Sequence, residues 1–278
     1  MNKNNVIKNM MSIELTEKQF TKISQIIYQL CGINLKEGKQ ALVRSRLMKR
    51  LRALKMGSFN EYIKFIESEQ GSQEIGFMVD VMTTNKTSFF REPAHFRYLE
   101  DSILPNLKEK RIRFWTAACS SGEEPFSLAI VLREIIKDID YRDVRILATD
   151  ISKRMLEKAR DAIYEEEKVS SISPLLLKKY FIKVKKESPK AYQVTDSVRS
   201  LVHLAWLNLM EKWPMKGPFD LIFCRNVMIY FDRKTQQNLI NRFWDYLEPG
   251  GYLFVGHSEG LSSISHKFEY VKPAIYRK

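Results

Sequence analysis

Two carboxylates stand near the ends of consecutive predicted strands, where they could bind a ligand together. The stretch "WTAACSSGEEPFSLA" predicts a strand that ends at the small residues Ala117 and Ala118, then a tight turn, then a helix whose first turn holds Glu124. Asp150 ends the next predicted strand, "VRILATD", 26 residues further on. The carboxyl ends of strands in a parallel sheet share one edge, so we expect these side chains to converge.

The charge of these side chains restricts the ligand. Acids at a helix N-terminus favour a cation and oppose phosphate, and the G-x-G-x-x-G pattern of dinucleotide folds is absent. An acid at the end of the second strand can accept hydrogen bonds from ribose hydroxyls. A ribose beside a cationic group, without a pyrophosphate, describes S-adenosylmethionine. The alternative is that Glu124 and Asp150 merely cap the helices that begin beside them.

Two later strand ends should reach the same edge. Asn208 lies at the end of the predicted strand "LVHLAWLNL", and its amide suits the hydrogen-bonding edge of an adenine. Arg225 and Asn226 end the predicted strand "FDLIFCRN". In doubly wound sheets ligands bind beyond the carboxyl ends of the strands, so these residues join the candidate site.

The stretch "TTNKTSFFRE", residues 83–92, precedes the first predicted strand. A linker does not need its two phenylalanines, and a core helix does not favour its Asn, Thr and Arg. We therefore expect this segment to do more than connect two domains.

The elements around these motifs predict two kinds of domain. Residues 1–82 predict an all-helical domain, with a capping box at Thr16 and Gln19, a helix stop at Gly32, a helix over about Glu37–Met56 and another N-cap at Ser58. Residues 83–110 predict a connecting segment and a helix.

Residues 111–278 alternate strands with helices, one of them over "SKRMLEKARDAIY" capped by Ser152. The pattern predicts an α/β fold with a doubly wound sheet. It is interrupted at about residues 165–201 by a small inserted β-subdomain, and the two last strands, on either side of Pro273, are predicted to be antiparallel.

Composition restricts the class further. The chain has 278 residues, of which 44% are hydrophobic and 28% charged, as in a globular protein with a packed core. No apolar run reaches the roughly 18 to 20 residues that span a bilayer, and the N-terminus lacks a secretory apolar region. The three cysteines are far apart without CxxC spacing, which favours a reducing cytoplasm over disulfides or zinc. The four histidines are scattered and predicted to be structural.

Positive charge is concentrated in one predicted helix. The net charge is +13, and Lys36–Lys55 contains eight basic residues and one acid, Glu37, a net +7 in twenty residues. A solvated charged face would explain such a helix, as would docking to an acidic partner.

Four stretches together resemble the chemotaxis receptor methyltransferases of the CheR family: "TTNKTSFFRE", "AACSSGEEPFSLA", "ATDIS…LEKAR" and "FDLIFCRNVMIYF". The similarity spans nearly the whole chain. It implies a class I methyltransferase sheet and transfer of a methyl group from S-adenosylmethionine to glutamates on chemoreceptor cytoplasmic helices. A free glutamate has a pKa near 4.3 and is already an anion, so no general base is needed.

The resemblance also implies roles for individual residues. Arg91 and Tyr230 are the expected catalytic residues, the first orienting a carboxylate and the second lining the methyl-transfer position. The cofactor is expected to contact Asn85, Thr87, Arg91, Ala118, Glu124, Asp150, Asn208, Leu209, Arg225 and Asn226. The acidic receptor helices are expected to dock on Arg44, Arg46, Lys49, Arg50 and Arg52.

The turn around "VKKESPKAY" departs from the family, because members that grip a peptide tethered at the receptor C-terminus have a glycine there. This favours a tether-independent enzyme. The chain is expected in the cytoplasm, recruited to chemoreceptor arrays, without nucleic acid or membrane insertion. A nucleic-acid methyltransferase is disfavoured because "CRNVMIY" lacks the Asn/Asp-Pro-Pro-Tyr/Phe motif of base-flipping enzymes. The other alternative is a non-catalytic cofactor-binding signalling protein.

Overall fold

The computed structural model describes residues 13–107, 111–184 and 190–278. The chain divides into two compact units. The helical unit comprises Met1–Thr84 with Tyr230–Asp232, and the α/β unit comprises Asn85–Ile229 with Arg233–Lys278. Two predictions rest on residues outside the described ranges. The prediction of tether independence rests on the turn at 185–189, and the prediction that a secretory region is missing rests on residues 1–12.

The described part of the helical unit contains four α-helices: α1 (Glu17–Cys31), α2 (Gln40–Leu54), α3 (Phe59–Ile66) and α4 (Ser72–Met82). The predicted capping box is present, since Thr16 Oγ1 accepts from the Gln19 amide and Gln19 Oε1 accepts from the Thr16 amide. Gly32 ends α1 with a φ of 73°, which costs glycine little.

Helix α2 buries the apolar face that its spacing predicts. Val43, Leu47 and Leu51 are fully buried, so its basic residues occupy the remaining arc. The helix is shorter than the predicted span, because Lys55 takes a left-handed backbone with φ 57° and ends it.

The α/β unit follows the predicted alternation. Its helices are α5 (Pro93–Tyr98), α6 (Glu123–Ile135), α7 (Lys153–Asp161), α8 (Glu166–Val169), α9 (Pro174–Tyr180), α10 (Asp196–Arg199) and α11 (Arg233–Tyr246). Its strands are β1 (Arg111–Ala117), β2 (Asp143–Asp150), β3 (Ile163–Glu165), β4 (Phe181–Val184), β5 (Ala191–Val194), β6 (Val202–Trp206), β7 (Phe219–Cys224), β8 (Leu247–Val255), β9 (Glu269–Lys272) and β10 (Ile275–Arg277).

Seven strands form the main sheet in the order β6-β2-β1-β7-β8-β10-β9. The first five are parallel, and β10 pairs antiparallel with both β8 and β9. The chain reverses its winding direction between β1 and β7, which is the switch point where doubly wound sheets bind ligands. The predicted fold class is confirmed.

The inserted subdomain contains one strand that the sequence pattern did not predict. The helix predicted through Tyr164 ends at Asp161, where Ala162 has a φ of 51°, and Ile163–Glu165 pairs antiparallel with β5. Tyr164 is buried, and its hydroxyl donates to the Ser121 carbonyl at 2.6 Å. Because these partners are distant in sequence, helical periodicity could not reveal the strand.

Candidate functional site

Register places the ends of four strands beside one another. Ala117 of β1 pairs with Thr149 of β2 on one side and with Cys224 of β7 on the other, and Asp150 pairs with Trp206 of β6. The loops that follow these strands therefore leave the same edge of the sheet. The strand ends and these loops together carry most of the residues predicted to hold the cofactor: Ala118, Asp150, Asn208, Leu209, Arg225 and Asn226.

The Asp150 carboxylate is fixed at the end of β2. It is 6% exposed, and its two oxygens accept from the Ser120 amide at 2.7 Å and the Ser152 amide at 2.8 Å. A carboxylate oriented by two backbone donors still has lone pairs that can accept from hydroxyls. Ser152 caps α7 itself, since its hydroxyl accepts from the Met155 amide, so Asp150 is not the cap of that helix.

The loops at this edge hold an unusual backbone conformation. Ala118, Ser120 and Asn226 have φ values of 67°, 50° and 59°, and Phe90 and Glu92 have 52° and 58°. Such left-handed conformations cost energy for residues other than glycine, and they concentrate at binding and catalytic sites.

Gly122 serves packing rather than ligand access. Its φ is 96°, and a Cβ there would lie 2.9 Å from Ala159, Phe126 and Tyr164. The glycine of the Ser-Ser-Gly turn therefore lets α7 and the start of α6 approach. The left-handed Ala118 and Ser120 shape the end of the loop nearer to Asp150.

Arg225 is buried between two carboxylates. Its Nη1 donates to Glu124 at 2.9 Å and its Nε to Glu92 at 3.4 Å, and Nη2 lies 3.1 Å from Glu92. Nη2 also donates to the Arg91 carbonyl. With a side chain only 1% exposed, Arg225 holds other site residues in place through its guanidinium.

Burial and the shared Arg225 cation shift the pKa values of Glu124 and Glu92 in opposite directions. Burial raises the pKa of Glu124 to about 7, although Arg225 acts to lower it. Burial also acts to raise the pKa of Glu92, but the charge and hydrogen bond of Arg225 outweigh it and leave the pKa below the usual range. Glu124 is thus an acid whose ionisation at neutral pH depends on its neighbours.

The connecting segment, residues 85–92, belongs to the α/β unit and packs within it. Phe89 is buried, with ring centroids 4.9 Å from Tyr164 and 5.4 Å from Phe181, and the Phe90 amide donates to Ser127 Oγ at 2.9 Å. The Asn85 carbonyl accepts from Ser120 Oγ at 3.2 Å, which joins the segment to the loop after β1.

Thr87 and Arg91, two residues of this segment that were predicted to contact the cofactor, are only partly buried. The Arg91 side chain donates from Nη1 to the Lys86 carbonyl at 2.8 Å, and the Thr87 carbonyl accepts from Lys168 at 3.5 Å. The Arg91 side chain thus joins two parts of the segment by its hydrogen bond to the Lys86 carbonyl.

Asn208 and Leu209 follow β6 in a tight turn. Asn208 is 4% exposed, and its side chain accepts from the Met210 amide at 3.0 Å and donates to Glu211 at 3.0 Å. The Leu209 carbonyl accepts from Trp213 Nε1 at 3.3 Å and also from Arg242. These bonds fix the loop that faces the end of β2.

Glu259, after β8, is a site residue that sequence reasoning missed. Its carboxylate accepts from the Asn226 amide at 2.6 Å, the Gly256 amide at 2.7 Å and the Ile229 amide at 3.1 Å. A Cβ on Gly256 would lie 2.5 Å from Asn226 Nδ2 and 2.6 Å from Glu259 Oε2, so a larger residue there would displace these two side chains. The "GHSEG" stretch, 256–260, was the available signal: a small residue and an acid just after a strand.

Two of the four histidines are neighbours rather than scattered. The ring centroids of His95 and His257 are 5.0 Å apart, and both lie beside Glu92 with ligand-type atoms within 4.8 Å of one another. Because Glu92 is already paired with the buried Arg225 cation, this cluster is a poor place for a metal ion.

The site suits the cofactor that the sequence predicted. Its side chains include two carboxylates, Asp150 held by backbone donors and Glu124 in a buried position. Such acceptors match ribose hydroxyls and an ammonium group and would repel a pyrophosphate. When bound, S-adenosylmethionine supplies an electrophilic methyl group on its sulfonium.

The five residues predicted to dock the receptor fall into two groups: three have hydrogen-bond partners within the helical unit, and two are exposed. Arg50 donates from Nε and Nη2 to the buried Glu74 at 2.8 and 2.7 Å, and Arg46 donates to Thr84 Oγ1 at 2.7 Å. Arg44 donates to the Ile13 carbonyl at 2.8 Å. Lys49 and Arg52 are exposed.

Tyr230, the second predicted catalytic residue, belongs to the short segment that groups with the helical unit. Its carbonyl accepts from the Asn34 amide at 2.8 Å, and the next residue, Phe231, forms an isolated antiparallel bridge with Ile33. Across the described ranges, no helix is both long enough and apolar enough to span a membrane.

Comparison with known proteins agrees with the site. Residues 18–83 match the CheR methyltransferase all-alpha domain, and residues 85–276 match the CheR methyltransferase S-adenosylmethionine-binding domain. The chain is 41% identical to the chemotaxis protein methyltransferase of Borreliella burgdorferi strain B31, covering 96% of both proteins.

Two further relatives show the same extent of similarity. The chain is 40% identical to the chemotaxis protein methyltransferase of Escherichia coli strain K12, covering 95% of this chain and 92% of that protein. It is also 40% identical to chemotaxis protein methyltransferase 2 of Pseudomonas aeruginosa strain PAO1, covering 94% and 93%. These matches, from the helical unit to the last strands, show that the chain belongs to the CheR methyltransferase family and uses S-adenosylmethionine as its cofactor.

Proposed function

We propose that this protein transfers the methyl group of S-adenosylmethionine to glutamate side chains of chemoreceptor cytoplasmic domains, forming glutamyl methyl esters. The observation that carries the proposal is the pair of carboxylates, Asp150 at the end of β2 and Glu124 in the first turn of α6, in a chain that a chemotaxis methyltransferase matches over 96% of its length. The methylation of chemoreceptors is the role that the names of these relatives imply.

The chemistry requires placement more than proton transfer. A glutamate side chain is an anion at neutral pH and attacks the sulfonium methyl directly, so in-line alignment and exclusion of water account for catalysis. Asp150 would accept from the ribose and Glu124 from the ammonium group of the cofactor. Asn85, Thr87, Ala118, Asn208, Leu209 and Asn226 would form the rest of the cofactor site.

The two proposed catalytic residues would act on the substrate side. Arg91 would orient a carboxylate, either that of the incoming glutamate or that of the cofactor. Tyr230 would line the position of methyl transfer. Arg225 would keep Glu124 and the Arg91 backbone in position rather than contact the cofactor through its buried guanidinium.

The helical unit is the proposed docking domain. The exposed Lys49 and Arg52 of α2 would attract the acidic receptor helices, whereas Arg44, Arg46 and Arg50 stabilise the unit through their internal partners.

Transfer of radiolabelled methyl from S-adenosylmethionine to membranes that contain chemoreceptors tests the proposal. We expect label on the receptor that mild base releases, because an ester is base-labile and an amine methylation is not. Arg91→Ala should reduce transfer strongly without unfolding the protein. Base-stable label, or label on nucleic acid instead of the receptor, would refute the proposal.

A further inference from the structure

Glu92 joins three separate segments of the α/β unit, although the sequence patterns did not single it out. Its carboxylate accepts from Arg225 Nε, from Asn226 Nδ2 and from the His257 amide, each at 3.4 Å. The residue itself lies in the connecting segment with a left-handed backbone. Glu92 thus links that segment to the loops after β7 and β8.

Glu92 also shares a single cation with Glu124. The guanidinium of Arg225 contacts Glu92 at 3.1 Å on one side and Glu124 at 2.9 Å on the other. Both carboxyl side chains are 13% exposed, and that of Arg225 is 1% exposed. One buried positive charge between two acids cannot fully compensate both, so the charge on one acid affects the other.

We propose that Glu92 is a positioning residue of the cofactor site, which shares the Arg225 guanidinium with Glu124 and so sets the negative charge that Glu124 presents to a cationic group of the cofactor. This inference rests on the proposed function, because it assigns the cofactor's ammonium group to Glu124. It makes Glu92 a determinant of how cofactor affinity depends on pH.

Other charged groups near Glu124 do not replace Glu92 in this role. Arg91, in the connecting segment, lowers the pKa of Glu124 along with Arg225, whereas Glu92 raises it. The thiols of Cys119 and Cys224, at the ends of β1 and β7, have pKa values raised well above 9 by burial and remain neutral. The titratable groups beyond these are Glu123 and Asp150 near Cys119, Glu259 near Cys224, and His95 and His257 near Glu92.

The sign of the effect follows from the protonation of Glu124. Glu124 has a pKa of about 7, so below pH 7 most molecules of the free protein carry Glu124 in its neutral form. Binding an ammonium group then requires Glu124 to lose its proton. Affinity for the cofactor should therefore fall as the pH drops. Removing the negative charge of Glu92 lowers the pKa of Glu124 and moves this fall to lower pH.

Calorimetric titration of S-adenosylhomocysteine, which keeps the ribose and the ammonium group, measures this without any activity assay. From pH 8 to pH 6 we expect the affinity of the unmodified protein to fall about tenfold, and that of Glu92→Gln to fall only about two- to fourfold. Asp101 is an exposed carboxylate nearby in the chain, so Asp101→Asn is the matched control. This variant should keep the tenfold fall in affinity.

The outcomes separate this inference from the proposed function. An equal fall in Glu92→Gln and in the unmodified protein would overturn the inference, even if the variant binds more weakly at every pH. Should Glu92→Gln fail to fold, Glu124→Gln decides: its affinity should no longer change between pH 8 and pH 6, and a persistent tenfold fall would overturn the inference. Failure of the unmodified protein to bind at any pH would instead refute the cofactor site itself.

Discussion

His95 shows how a single buried residue can link stability to pH. It is fully buried, and neither ring nitrogen has a hydrogen-bond partner among the described residues. Its ring centroid lies 5.2 Å from that of Phe254. Burial lowers the pKa of His95 to about 3, and the nearby Arg225 cation acts in the same direction.

Replacing His95 should therefore remove part of the acid sensitivity of the fold. Between pH 6.5 and pH 3 the unfolded chain binds a proton at His95 that the folded chain does not, so this residue costs stability as the pH falls. From pH 8 to pH 5 the unmodified protein should lose about 2 kcal/mol of unfolding free energy more than His95→Phe. Urea denaturation at both pH values measures the difference.

The exposed His203 provides the control for this prediction. His203→Gln should keep the pH dependence of the unmodified protein. Glu124 has a raised pKa and acts in the opposite sense, with stability falling as the pH rises from 4.5 towards 7, but it is present in all three proteins. Parallel curves for His95→Phe and the unmodified protein would contradict the prediction.

At the scale of elements, α2 has both structural and exposed cations. Arg50 forms a bidentate pair with Glu74, which is 4% exposed and also accepts from the Tyr62 hydroxyl at 3.0 Å. Removing one partner of such a pair leaves a buried charge uncompensated, at a cost of about 3–5 kcal/mol. Charge reversal at Arg50 would therefore unfold the unit rather than test docking.

The exposed residues of α2 permit a clean test of docking. Lys49→Glu with Arg52→Glu should lower kcat/KM for receptor methylation on the order of tenfold, because the favourable field toward an acidic helix is reversed. The affinity for S-adenosylhomocysteine and the unfolding free energy should stay unchanged.

Lys18→Glu with Lys64→Glu is the matched control, since both lysines are exposed in the helical unit and the change in net charge is the same. It should have a much smaller effect on kcat/KM. Equal losses in the two double variants would mean that overall charge, not α2, governs the reaction with the receptor.

On the scale of the whole molecule, the net charge of +13 predicts that salt weakens the reaction with the receptor but has little effect on cofactor binding. Raising NaCl from about 0.05 M to about 0.5 M shortens the screening length from roughly 14 Å to roughly 4 Å and should lower kcat/KM for the receptor about tenfold. The Kd of S-adenosylhomocysteine should change less than about twofold, because the cofactor's ionic partners are largely buried. Steady-state kinetics and calorimetry at the same salt concentrations check both, and a parallel loss of cofactor affinity would contradict this separation.

Local sequence signals specified much of this fold. The caps at Thr16, Ser58 and Ser152 each lie three residues from the amide they bind, and strand–helix alternation is a pattern along the chain. The placement of Glu124 and Asp150 after consecutive strands was likewise readable, because parallel strands bring their carboxyl ends to one edge.

Only the tertiary structure showed which charges meet. Glu92 and Arg225 are 133 residues apart, and Glu259 lies 33 residues beyond the Asn226 amide that it binds, so no local pattern connects them. The pairing of Ile163–Glu165 with β5 and the encounter of His95 with His257 are of the same kind. Caps and amphipathic faces depend on near neighbours along the chain, whereas the sharing of a buried cation depends on which distant segments the packed core brings into contact.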